Sequence, residues 1–259
     1  MNLTDDFVLK CMSGAPILYE DICAIYPTKM KDIASVGYDT FSQYIGILNM
    51  SKPSSNELGE IGELIKDLTD FQYIMFLANI DQEFNLKLKE LFRFFTHEST
   101  IFSLSPPQII FGPLEEKHLM VEEKFYEFRR IVRRMLFIEI SGDEIIINED
   151  DSPRVRALKE QMRKNREKVA KAKAKKNSNN PEEGVSFSDL LGSVTINNCG
   201  LNMNNIWDIT YYAFQDQLKR MGWRDKFNIN NQAAMAGAKI KKKDLTHWIR
   251  KISSDNKSN

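Results

Sequence analysis

Residues 154–176, RVRALKEQMRKNREKVAKAKAKK, hold eleven Lys and Arg against two Glu, and no folded core accepts that density of charge. The segment therefore divides the chain into two apolar parts. With 36 basic and 36 acidic residues the chain has a formal net charge of zero, so the remainder is acidic in compensation. Such a split suits a mobile basic arm that meets an acidic surface.

The basic segment reads as a helix. Ser152 is placed as its N-cap and Pro153 at its first position, where proline loses no hydrogen bond. At 1.5 Å per residue it would run roughly 34 Å. Val155, Leu158, Met162, Asn165, Val169 and Ala172 recur at spacings of three and four, an apolar seam interrupted by Asn165. Three readings stay open for it: pairing with a partner's helix, lying against the chain's own acidic N-terminal part, or binding nucleic acid. The last lacks interleaved aromatics for base stacking. Arg163, Lys164, Arg166, Lys168 and Lys171 are its candidate contact residues.

On either side the pattern is that of folded protein. The chain is 42% hydrophobic and 10% aromatic, with only 12 Gly and 8 Pro in 259 residues, which favours a mainly α fold with a few short strands. We expect an N-terminal mainly helical domain over 1–150, the basic helix and a flexible hinge (NSNNPEEG) over 151–184, and a small aromatic-rich helical domain over 185–259. Whether the first holds one core or two stays open.

In the N-terminal part, 15–26 predicts a hairpin turning at Glu20 and Asp21. Ile33, Gly37, Phe41, Tyr44 and Leu48 predict two helices broken at Gly37, with Asp39 or Thr40 recapping the second. Helix is expected from Glu57 to Thr96, with Phe84, Leu88, Leu91 and Phe95 facing the core. Pro106, Pro107 and Pro113 forbid helix there, so IFSL and QIIF read as strands. Val121, Phe125, Phe128, Val132 and Met135 restore the helical period. Glu122 and Glu123 lie at that helix's start and Arg129, Arg130, Arg133 and Arg134 toward its end, in line with the helix dipole. DEIIIN (143–148) reads as a further strand.

After the hinge, Phe187, Leu190 and Leu191 mark a weak helix. Asn205 is expected to cap a helix that ends at Met221 before Gly222, with Trp207, Tyr211, Phe214, Leu218 and Met221 as one seam. Two short helices, around NQAAMAGAK and KKDLTHWIRKI, would fold back and cover it with Trp248 and Ile249. Core packing is the default for such a stripe. A unit this small, however, also leaves apolar surface for the N-terminal part or for a partner. Trp207, Tyr211, Phe214 and Leu218 are the candidate apolar contacts.

Nothing signals catalysis. His97, His118 and His247 are far apart and outside any metal-ligand spacing, and no phosphate-binding loop, dinucleotide fingerprint or nucleophile elbow occurs. The acidic clusters fall where helix starts want them. Cys11, Cys23 and Cys199 show no CxxC spacing and read as reduced, buried thiols. No apolar run approaches the roughly 18 residues of a membrane span, and MNLTDDFVLKCMSG carries no basic leader, so a cytoplasmic, non-enzymatic protein without cofactor or metal is expected.

Two stretches taken together, ILYEDICAIYPTKMKDIASVGYDTFSQYIGIL (17–48) and NNIWDITYYAFQDQLKRMGWRDKFNINNQAAMAGAKIKKKDLTHWIRKI (204–252), resemble tail assembly chaperones encoded in the tail modules of phages and prophages of low-GC Gram-positive bacteria. The resemblance includes the order: an apolar segment ending in Pro27, helices broken at Gly37, a Lys-rich helix, the Trp207 helix, the AGAK turn and the closing HWIRKI. It covers about a third of the chain and leaves 51–150 unmatched. It implies a protein that binds the tape measure protein in the host cytoplasm before the tail tube polymerises, with no catalytic residues. The alternatives are a structural part of the virion tail or baseplate and, less favoured, a nucleic-acid-binding protein acting through its basic helix; self-association into a homo-oligomer stays open in each case.

Overall fold

The computed structural model describes residues 4–53, 65–112, 118–138, 185–197, 200–241 and 245–249. The basic helix, the hinge, the DEIIIN segment and Cys199 lie outside these, and with them Arg163, Lys164, Arg166, Lys168 and Lys171.

The described residues are mainly helical with a few short antiparallel strands. Helix α1 (Asp5–Ser13) starts where the Thr4 side chain accepts from the Phe7 amide and stops at Gly14, whose φ of 79° suits glycine. The expected hairpin follows: β1 (Ile17–Tyr19) pairs antiparallel with β2 (Cys23–Ile25), turning through Glu20 and Asp21. Alternation sends Ile17 and Tyr19 inward and leaves Leu18 exposed.

Helices α2 (Met30–Val36) and α3 (Tyr38–Leu48) break at Gly37 as the spacing predicts. The recap differs, because Gly37 at φ 86° is itself the N-cap of α3 and Asp39 falls inside the first turn. Ile33, Phe41, Tyr44 and Leu48 are all buried.

The long helical stretch expected up to Thr96 is two helices in its described part, α4 (Asp70–Ile80) and α5 (Gln82–Thr96). Thr69 and Gln72 form a reciprocal capping box at the start of α4. Between the helices Asp81 turns extended and accepts from the Glu83 and Phe84 amides, a break that an uninterrupted apolar period conceals. His97 closes α5 in left-handed conformation and stacks on Tyr26 at 4.1 Å.

Strands β3 (Thr100–Leu104) and β4 (Pro107–Phe111) match IFSL and QIIF, joined through Ser105 and Pro106. A third strand absent from the expectation, β5 (His118–Met120), completes the sheet in the order β3-β4-β5. Its inner side carries Ile109, Phe111 and Met120, all fully buried. Helix α6 (Glu122–Met135) then packs Phe125 on Phe71 and Phe128 on Phe92, at 5.1 and 5.4 Å between ring centroids. Of its arginines, Arg129 turns inward and is only 4% exposed.

Beyond the undescribed stretch, α7 (Phe187–Asn197) leads through a 3-10 turn (Ile206–Asp208) to α8 (Tyr211–Met235). Four sequence readings are corrected here. The cap of α8 is Thr210 rather than Asn205, because residues 206–208 close a 3-10 turn and Ile209 and Thr210 are extended. Nor does Gly222 end the helix: it keeps helical geometry, whereas a terminating glycine takes positive φ. The helix therefore absorbs NQAAM, which needs no helix of its own. In KKDLTHWIRKI the described residues 245–249 form no α-helix.

One core crosses the undescribed segment. Leu191, Val194, Ile206, Tyr211, Tyr212 and Phe214 belong to the same buried cluster as the residues of α1 to α6. The seam between them is hydrogen-bonded as well as packed. The Thr210 hydroxyl donates to the Cys11 carbonyl at 2.7 Å, the Tyr211 amide to the Thr28 carbonyl at 2.7 Å, and the Met30 amide to the Ile209 carbonyl at 3.0 Å. Phe187 of α7 stacks on Tyr38 of α3 at 4.5 Å and meets Phe214 edge-on at 5.7 Å.

Candidate functional site

The four apolar contact residues expected from the sequence do not form an open face. Phe214 is fully buried and Tyr211 is 9% exposed. Tyr211 meets Phe41 of α3 edge-on at 5.4 Å. Trp207 and Leu218 are partly buried against the same core. The stripe is thus the inner face of the 3-10 turn and the first turns of α8, and the area it buries stabilises this chain: its seam residues are the closing layer of the N-terminal core.

Leu218 is also where that core ends. Among the described residues, none of the seventeen from Lys219 to Met235 belongs to it, a span of roughly 26 Å of helix at 1.5 Å per residue. This arm has its own chemistry. Residues 217–241 contain Lys219, Arg220, Arg224, Lys226, Lys239 and Lys241, against Asp225 as the sole acid. Aromatic rings alternate with the cations: Lys219 Nζ stands 5.5 Å from the Trp223 ring centroid. Phe227 meets His247 at 5.2 Å, and His247 stacks on Trp248 at 5.7 Å. Ile229 and Met235 are 64% and 83% exposed.

Where the arm leaves the core, it forms a cleft with α7. The cleft measures about 230 Å³ and is lined by Val194 and Asn197 of α7, by Gln217, Arg220, Met221 and Arg224 of α8, and by Trp248. Val194 is a buried floor. Successive turns of one helix face supply Gln217, Arg220 or Met221, and Arg224 by their spacing of three and four. Asp216 anchors this side: its carboxylate is 2% exposed and accepts from Arg220 Nε at 2.8 Å, which holds that guanidinium alongside the cleft. The hydroxyl of Tyr212 on the preceding turn is pushed up to about 12, by burial first.

A signal for the arm exists in the sequence, KRMGWRDKF (219–227), where cations and aromatics alternate on one helix. Taking Gly222 as a helix stop hides it by cutting the stretch into two unrelated pieces. Chemically the arrangement suits binding by apolar insertion and charge. Among the described residues no group of three or more His, Cys, Asp or Glu could hold a metal, and no helix is long and apolar enough to cross a membrane.

A family model described as the YomV second domain matches residues 174–253; the family name derives from a Bacillus prophage gene. The matched stretch contains α7, the 3-10 turn, α8 and Trp248, and so every residue that lines the cleft. No curated protein and no solved structure matches the chain.

Proposed function

We propose that this chain is a non-enzymatic phage tail assembly factor, a chaperone that holds the tape measure protein before the tail tube polymerises around it. The observation that carries the reading is the arm of α8, a stretch of cationic and aromatic helix that lies outside the core formed by the described residues, while the first turns of the same helix are locked into it. A tape measure is a long amphipathic helix liable to aggregate alone, and an arm that offers apolar and cationic contacts in register fits such a helix. The phage-derived family of residues 174–253 supports the setting. The basic segment, with Arg163, Lys164, Arg166, Lys168 and Lys171, would supply a second cationic contact, and two weak contacts on one chain strengthen binding through effective concentration.

Co-expression is the test. The chain is expected to keep an otherwise insoluble tape-measure fragment in the supernatant, and charge reversal across residues 163–171 to weaken that effect. A fragment that stays insoluble in its presence refutes the proposal. A stoichiometric band of 30 kDa in purified virions would instead favour a permanent tail or baseplate component.

A further inference from the structure

We propose that Arg129 of α6, with Arg130 beside it, binds one small oxyanion of the phosphate or carboxylate class. The inference goes beyond the assembly reading and does not depend on it.

Arg129 stands where the helical period wants an apolar side chain. Phe125 lies four residues before it and Val132 three after, so the three share one face of α6, and both neighbours are buried in the core. Phe125 packs on Phe71 of α4. Arg129 is itself 4% exposed, and its Nε and Nη1 are buried with no hydrogen-bond partner. Among the described residues it forms no ion pair either. Glu127, two residues before it, is committed elsewhere: one carboxylate oxygen accepts from Arg130 Nη2 and the other from the Tyr19 hydroxyl, each at 3.3 Å.

That combination selects the chemistry of a ligand. A guanidinium cannot relieve its burial by losing a proton, as a lysine can. Its desolvation is offset only by a negative charge and by acceptors for its N–H groups. An oxyanion supplies both at once, because it is charged, accepts without donating, and meets the flat guanidinium with two oxygens. A neutral carbonyl would satisfy the N–H groups and leave the charge. Size follows from burial, since only a small head reaches a side chain so enclosed. Arg130 links this level to solvent: its side chain is 41% exposed, while its Nε is buried and without a hydrogen-bond partner. Arg133 and Arg134 are engaged within the chain and are not part of the site.

The experiment uses the full chain with inorganic phosphate as the probe, acetate as the carboxylate arm, and chloride at equal ionic strength as the reference. The Tm should rise along a saturating curve with phosphate, acetate or both, as for any ligand that binds the folded state alone. The anion that saturates at the lower concentration names the class. R129M removes the charge and keeps an apolar stem, so phosphate and acetate should act on it no more than chloride does. R129K keeps the charge without the planar fork and should weaken binding about tenfold or more. K87Q, a surface cation of α5 paired with Glu83, makes the same change in net charge and should leave affinity within about twofold.

Replacing an unpaired buried charge by an apolar side chain is tolerated in a packed interior, so R129M is expected to fold; circular dichroism checks it. Should it not fold, R129K and R130Q carry the test, both expected to bind more weakly than the parent. Equal gains in Tm for the parent and R129M would show an adventitious ion only and overturn the inference. So would a parent whose Tm follows ionic strength alone in all three salts, or R129K and R130Q that both bind like the parent.

Discussion

Phe214→Ala tests whether the chain's two ends share one core. Phe214 is fully buried, edge-on to Phe187 of α7, and part of the cluster that reaches α1 and α3. Truncating a buried Phe to Ala costs about 3–5 kcal/mol through lost transfer energy and the cavity left behind. The tilted contact with Tyr211 and the edge-on contact with Phe187 place the expectation toward the upper half of that range. Against a typical total of about 5–15 kcal/mol this is a large fraction. For a chain of this size it corresponds to a fall in Tm of about 6–20 °C.

Urea unfolding followed by tryptophan fluorescence measures the loss, and hydrogen exchange locates it. Because Thr210 is bonded to the Cys11 carbonyl, amides of α1 should lose protection together with those of α8. In a C199S background, the Cys11 thiol should become reactive to a disulfide reagent at lower urea. Two separate unfolding transitions, or α1 protection unchanged by the substitution, would refute the shared core. Ile229→Ala, 64% exposed on the arm, should cost under about 1 kcal/mol and leave α1 protected.

The thiols Cys11 and Cys23 are raised from the usual 9.0 to about 12, by burial first. Each holds its proton in the native state where the unfolded chain releases it, so stability is fully present below pH 9 and is lost as pH rises toward 12. The slope is at most about 1.4 kcal/mol per pH unit for each group; urea midpoints at pH 8 and 10.5 check it, and a midpoint independent of pH over that range contradicts it. Thr210→Ala removes both the cap of α8 and the buried hydrogen bond to Cys11, a loss of about 2 kcal/mol that Thr210→Ser should largely recover in the same titration. Gly222→Ala should raise stability or helicity by about 1 kcal/mol, since an added Cβ meets nothing within 4 Å; reduced helicity by circular dichroism would show that the helix needs its glycine.

What could be read from the sequence follows from what local chemistry records. The hairpin at Glu20 and Asp21, the break at Gly37, the strands around Pro106 and the helix from Glu122 to Met135 each have a residue that does the punctuating, and each is present. The break at Asp81 was concealed because Asp81 interrupts the backbone without interrupting the apolar period. Strand β5 is three residues long and owes its existence to pairing with Ile109–Phe111, information that lies elsewhere in the chain. At the site, the seam from Trp207 to Leu218 was legible as an apolar face, but what it faces is a tertiary fact. Its partners, Phe41, Phe187 and Cys11, stand up to 199 residues away. The arm was missed because Gly222 can end a helix or sit inside one, and only its φ decides.

Why the arm stays helical bears on how it would bind. A free helix of seventeen residues in water is marginal, since the first turn must be ordered before any residue gains a hydrogen bond. Here Thr210 to Leu218 supply that nucleus, held by Thr28, Cys11 and the aromatic core, so each further residue adds at propagation cost alone. Gly222 and the asparagines at 228, 230 and 231 lower the intrinsic helix propensity of the arm beyond its first turns. A partner bound along the arm would therefore meet turns near Leu218 that are already ordered by the core, where the ordering cost of binding is lowest.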